Sequence, residues 1–155
     1  MLNIYTVAFF GHRHIENALE IEEKLEKIIY KLMNQDGYIE FLVGRNGEFD
    51  NIVSSVVHRV KEKIDDANCA LILVLPYPTS EYKNNVKNFE NYFDSIEISH
   101  KASLSRPKAS IGIRNREMAD RADLIICYIE KDAGGAVNAV EYAKSKGKKI
   151  VNLAN

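Results

Sequence analysis

Apolar runs alternate with amphipathic stretches along the whole chain. Ile4, Val7 and Ala8, with Tyr5, Thr6, Phe9 and Phe10 around them, predict a buried first strand over 4–10. Ile21, Leu25, Ile28, Ile29 and Leu32 then recur at spacings of three and four, with charges between them. That period predicts a helix from Ile15 to about Asn34, stopped at Asp36-Gly37. Ile39 to Val43 reads as a second strand. The next helix carries Val53, Val56, Val57, Val60 and Ile64 on one face, and Asp50 is placed to cap it. Ala70 to Leu75 is a third strand, closed by Pro76-Tyr77-Pro78. Arg114 to Arg121 predicts a short helix. Leu124 to Ile129 is almost entirely apolar, as a strand covered on both faces is. A helix from Ala136 to Lys146, ended by Gly147, and a last strand over Ile150 to Leu153 complete the pattern.

This alternation predicts an α/β fold, a doubly wound, mainly parallel sheet in a single domain over 1–155. With core strands in the order 3-2-1-4-5, the chain reverses between the first and fourth. Ligands of such sheets bind there, beyond the carboxyl ends of the strands. The helix from Arg114 is expected to start at the same edge. Residues 76–113 break the rhythm. They hold every proline and Tyr77, Tyr82, Phe89, Tyr92 and Phe93, with Ile96-Glu97-Ile98 as a possible brief strand. A stretch this long reads as a partly helical lid over the site, an interface insertion that could form a homo-oligomer, or a mobile excursion.

Bulk properties narrow the function classes. The 155 residues carry a net charge of −1, so a basic site has to be local and nucleic acid is not expected as a partner. No apolar run is long enough to span a bilayer, and the first residues lack a basic leader, so neither a membrane nor export is expected. Cys69 and Cys127 lie inside apolar runs and read as reduced core thiols, which places the chain in the cytoplasm. No Cys or His spacing suggests a metal, and no cofactor is called for.

Three loops carry candidate chemistry. Gly11-His12-Arg13-His14 ends the first strand. Arg13 is suited to pair with a phosphate or carboxylate and His12 to donate to it. Gly44, Asn46, Gly47 and Asp50 form a second glycine-containing turn. Gly134 and Gly135, at a strand-to-helix turn, allow close backbone approach to an anion. His14, His58 and His100 read as ordinary surface residues. Glu141 lies six residues beyond Gly135, beside Val140 and Ala143, where an acid can accept ribose hydroxyls or support a cation.

These pieces, Thr6 to Arg13, Gly44 to Asp50, and Arg114 to Asp123 continuing through Gly134-Gly135 to Glu141, resemble the SLOG superfamily of Rossmann-like domains, named for the Smf/DprA and LOG proteins, and most of all its YpsA-like branch. The resemblance implies binding of a nucleotide or nucleotide-derived ligand. In LOG enzymes it also implies cleavage of the base–ribose bond of a nucleoside monophosphate. Arg114 and Met118 match their Arg-x-x-x-Met pattern, and Glu141 matches the acid that ends their PGGxGTxxE. Arg114 and Glu141 are then the catalytic candidates, as an N-glycosidase (phosphoribohydrolase-like), and Gly134, Gly135 and Asn138 belong to the phosphate loop. Ala133, Val137 and Asn138 stand where that pattern has Pro, Gly and Thr, and Asn115 where it has Lys, so binding is implied before catalysis. DNA binding, which the Smf/DprA relatives suggest, finds no support in the near-neutral charge.

Overall fold

The computed structural model describes residues 3–64 and 68–154. In chain order the elements are β1 (Ile4–Gly11), α1 (Ala18–Met33), β2 (Tyr38–Val43), α2 (Glu48–Lys63), β3 (Cys69–Leu75), α3 (Ser80–Asn84), α4 (Val86–Tyr92), β4 (Ser95–Ile98), α5 (His100–Ser103), α6 (Pro107–Arg121), β5 (Leu124–Tyr128), α7 (Gly135–Ser145) and β6 (Lys149–Asn152). The strands form one sheet in the order β4-β3-β2-β1-β5-β6, and every pairing is parallel. The expected core order holds, with the brief strand at Ser95–Ile98 added beside β3 as an edge.

Successive side chains of a strand point to opposite faces, and the two cores follow that period of two. Val7 and Phe9 of β1 pack with Phe41 of β2 against Ile21, Leu25 and Ile29 of α1 and Val53, Val56 and Val60 of α2. Ala8 and Phe10 face the other way, with Leu42, Ile72 and Ile125, against Met118 and Ala119 of α6 and Ala139, Val140 and Ala143 of α7. A sheet covered on both faces leaves its carboxyl edge for a ligand. The β1 and β5 ends are level there, with Gly11 paired to Tyr128.

Residues 76–113 carry α3, α4, β4, α5 and the first half of α6, so the segment is partly helical with one brief strand, as expected. Two expectations change. The helix read from Arg114 begins seven residues earlier, with Pro107 in its first turn, where proline's fixed φ suits a helix start. Arg114 therefore sits two turns inside α6, not at an N-terminus. Its period was obscured because Ser110, Arg114 and Asn115, all polar, lie on the buried face. Asp50 is not the cap of α2. Gly47 holds the N-cap position and Asp50 lies in the first turn. Among the described residues no helix is long and apolar enough to cross a membrane.

Candidate functional site

A cleft of about 420 Å³ opens at the carboxyl edge, where the chain turns from β1 to β5. The volume falls in the range of small-ligand sites. Its walls come from the β1–α1, β2–α2 and β5–α7 loops, and α6 closes it from below. Gly11, His12, Arg13, Gly44, Asn46, Asp50, Arg114, Gly134 and Gly135 all line it, so most of the candidate residues converge.

The β1–α1 wall is set by close packing. A Cβ at Gly11 would overlap the fully buried Phe49 ring and stand 2.6 Å from the Phe49 Cβ. A Cβ at Gly47 would strike the Arg13 backbone and lie 3.0 Å from the Arg13 Cβ. These glycines let two loops touch. The loops are also tied by hydrogen bonds: Glu48 N–H donates to the Arg13 carbonyl at 2.9 Å, and the Glu48 carboxylate accepts Ile15 N–H at 2.8 Å. Arg13 is thereby held at the rim with its guanidinium exposed and, among the described residues, without an ionic partner. His14, expected to be an ordinary surface residue, lines the cleft as well and sits 3.3 Å from Glu48.

His12 is nearly buried, and its Nε2 faces the backbone N–H groups of Glu130 and Lys131 at 3.0 and 3.2 Å. Two donors require a lone pair there, so the ring is neutral with its proton on Nδ1. Burial lowers the His12 pKa, the Lys131 charge lowers it further, and Glu130 opposes them. His12 is a latch between the ends of β1 and β5. Only Nδ1–H remains to donate to a ligand.

Arg114 supports the cleft from beneath. It is 2% exposed and makes three side-chain hydrogen bonds: Nη1 to the Val74 carbonyl at 2.7 Å, Nη2 to Asn46 Oδ1 at 2.6 Å and Nε to Asn115 Oδ1 at 2.9 Å. Gly44 gives it room, since a Cβ there would stand 3.1 Å from the guanidinium. Asn46 carries the chain of contacts onward by donating its N–H to Asp50 Oδ2 at 2.9 Å. Burial lowers the Arg114 pKa and raises that of Asp50, and each charge offsets part of the other's penalty. Asp50 keeps some surface accessibility as a residue, while its carboxyl group lies deep enough for burial to dominate.

The opposite wall is open. Gly134 adopts φ +125°, in the left-handed region that favours glycine, and a Cβ at Gly134 or Gly135 would meet nothing within 4 Å. These glycines, unlike Gly11, Gly44 and Gly47, leave space for a ligand. Gly135 begins α7, whose first N–H groups lack helical partners and whose dipole is positive at that end. Lys131 stands on the same loop, exposed and without an ionic partner among the described residues.

Glu141 and Asn138 do not join the cleft. Asn138 is exposed, and its N–H donates to the Gly134 carbonyl at 3.0 Å. Glu141 is 65% exposed, pairs with Lys144 at 3.5 Å and faces a separate groove with Ile150 and Asn152. Six residues of α-helix turn a side chain through about 240° from the starting position, so an acid spaced six from Gly135 faces elsewhere. Arg114 and Glu141 are thus not brought together, and Asp50 is the acid lining the cleft. Lys131 and Ile111 line it without having been singled out, and Asn115 and Met118, which also line it, were compared with the LOG pattern but not named as site residues. Lys131 was legible as a cation in the switch-point loop.

No protein-family model matches the sequence, and no curated protein matches it. Solved structures that share the fold include two DNA processing proteins. One is DNA processing protein A (DprA) from Streptococcus pneumoniae, 20% identical, with a TM-score of 0.70 over 95% of this chain and 49% of that one. The other is DNA processing protein A from Helicobacter pylori, 18% identical, with a TM-score of 0.65 over 94% of this chain and 63% of that one. The chain therefore spans about half to two thirds of the length of these proteins. The likeness shows a Rossmann-like α/β fold shared with these two proteins and does not reach the YpsA-like branch. The Helicobacter pylori structure describes a single-stranded DNA binding mode, which corrects the expectation that nucleic acid is an improbable partner for such a domain. That expectation rested on net charge, a sum over the whole chain, whereas phosphate contact needs only a local cationic surface.

Proposed function

We propose that the cleft binds a nucleotide unit, with its phosphate toward Arg13, Lys131 and the start of α7 and its sugar toward Asn46 and Asp50. One observation carries this reading: two cations without ionic partners among the described residues share a cleft with a glycine pair whose backbone is open to approach. Sheet order supports the polarity. β1 lies between β2 and β5, so the Asp50 loop and the Lys131 loop stand on opposite sides of Arg13. The acid suits hydroxyl or amino donors, and the cations suit phosphate.

The nucleotide unit can belong to a free nucleotide or to a single strand. The single-strand reading is favoured by the DNA-binding fold neighbour from Helicobacter pylori. Calorimetry with mono-, di- and cyclic nucleotides, alongside anisotropy with a labelled oligodeoxynucleotide, separates the two. The reading fails if no ligand of either kind binds, or if Arg13→Ala and Lys131→Ala leave binding unchanged. Base–ribose cleavage has less support, because Glu141 lies outside the cleft.

A further inference from the structure

We propose that the groove between α2 and α4 is a second site, taking a nucleobase covalently joined to the nucleotide in the cleft. The inference rests on the reading of the cleft given above. The groove encloses about 360 Å³ and is walled by Phe89, Tyr92 and Phe93. Ser54 lines it while only 4% exposed, and among the described residues its hydroxyl has no hydrogen-bond partner. The side-chain amides of Asn51 and Asn88 line it too, likewise without side-chain hydrogen bonds among the described residues. A hydroxyl and two amides supply donors and acceptors around an aromatic surface, which matches the edge and face of a heterocyclic base.

Side-chain contacts tie the walls of the groove together, and it favours a neutral ring over a phosphate. The Arg45 guanidinium stands 4.9 Å from the centre of the Phe89 ring. Glu81 holds it in place through two hydrogen bonds, of 2.7 and 3.1 Å, and offsets its charge. Arg45 thus offers a planar stacking surface more than a free cation. Tyr92 is stacked on His58 at 3.9 Å between ring centres, and the His58 ring nitrogen lies 2.6 Å from the Tyr92 carbonyl.

Continuity with the cleft identifies the occupant. Gly44 and Asn46 line the cleft, while Arg45 between them lines the groove. Consecutive Cα atoms are about 3.8 Å apart, so a single loop separates the two spaces. A ligand that fills both has a nucleotide on one side of this loop and the next base on the other. The smallest such ligand is a dinucleotide.

The test compares deoxyadenosine monophosphate with the 5′-phosphorylated deoxyadenosine dinucleotide, by calorimetry on the full chain. Base stacking on such surfaces predicts tighter dinucleotide binding by about tenfold. The variant Asn51→Ala/Ser54→Ala/Asn88→Ala should bring the dinucleotide down to the mononucleotide affinity and leave the mononucleotide unchanged. Equal affinities in the unaltered protein, or an advantage that survives in the variant, overturn the proposal. Asn51→Ala/Asn88→Ala, at two exposed positions, gives the same comparison if the triple variant folds poorly. Absence of binding by both the mononucleotide and the dinucleotide in the unaltered protein counts against the cleft reading instead. In that case the groove is tested alone, by titrating deoxyadenosine and following the Asn51 and Asn88 side-chain amide resonances. Saturable shifts support a base site, and their absence refutes it.

Discussion

Replacing Arg114 tests whether the residue is a structural tie or a ligand-binding hand. Arg114→Met keeps the length and apolar stem of the side chain but removes the guanidinium. The Val74 carbonyl, Asn46 Oδ1 and Asn115 Oδ1 each lose a donor that now lies 2.6–2.9 Å away. An unsatisfied buried polar group costs about 1–3 kcal/mol, so the three together exceed any single hydrogen bond even after relaxation at the cleft side. Asp50 also loses the nearby charge that offsets its burial. We expect a loss of about 3–5 kcal/mol, as for removal of one partner of a buried charge arrangement. That is a large share of the roughly 5–15 kcal/mol typical of a domain. At about 2–4 °C per kcal/mol for a chain of this size, the midpoint falls by at least about 6 °C. Urea unfolding with two spectroscopic probes, together with a thermal scan, measures this. Arg114→Lys should recover only part of the loss, because an ammonium cannot reach three acceptors in a planar fork. A loss below about 1 kcal/mol for Arg114→Met, with nucleotide binding abolished, would show that the guanidinium serves the ligand and that its hydrogen bonds contribute little to the fold.

Three further outcomes follow from the same contacts. Gly11→Ala drives a methyl into the Phe49 ring and should cost about 1–3 kcal/mol in urea unfolding, as overpacking does; Phe49→Leu in the same chain should recover part of it, and simple additivity of the two losses would contradict the contact. His12 has its pKa lowered on folding, so the unfolded chain binds more protons as pH falls below the ordinary value of 6.5. His12 therefore contributes stability that is complete above that pH and lost below it. Unfolding free energies between pH 8 and 5 should fall more steeply for the unaltered protein than for His12→Gln, and parallel curves would contradict the latch. Glu141→Gln should leave nucleotide affinity unchanged by calorimetry, since its carboxylate faces Lys144 and a different groove; a weakened affinity would return Glu141 to the site.

The sheet was legible because its strands are short apolar runs separated by strongly periodic helices. α6 was the exception. Its buried Ser110, Arg114 and Asn115 serve a polar network, so the apolar period began too late. Most cleft residues were also legible, since glycine and charge at strand ends fall together at a parallel sheet's carboxyl edge. Their roles were less so. Gly11 and Gly47 exist for contact with Phe49 and Arg13, partners distant in the chain, whereas Gly134 and Gly135 face open space. Nothing in the local sequence distinguishes these uses. Glu141 was placed near the inward stripe by its neighbours Val140 and Ala143, which are buried, but its own side chain turns out of that stripe to the surface. Arg114 was assigned to a ligand through its match to the LOG pattern, and a sequence does not display the Val74 carbonyl and Asn46 side chain that its guanidinium also binds.

The central claim is that the cleft holds a phosphate-bearing nucleotide unit through Arg13 and Lys131. The most direct measurement is calorimetric titration of a nucleotide panel and a short oligodeoxynucleotide into the unaltered chain and into Arg13→Ala/Lys131→Ala. Both side chains are exposed and without ionic partners among the described residues, so the variant should unfold at the same temperature as the parent. Charge-assisted contacts of about 1.5–3 kcal/mol predict at least a tenfold weaker affinity and a shallower dependence on salt. Undiminished affinity in a folded variant, or no binding by the unaltered chain, would contradict the account.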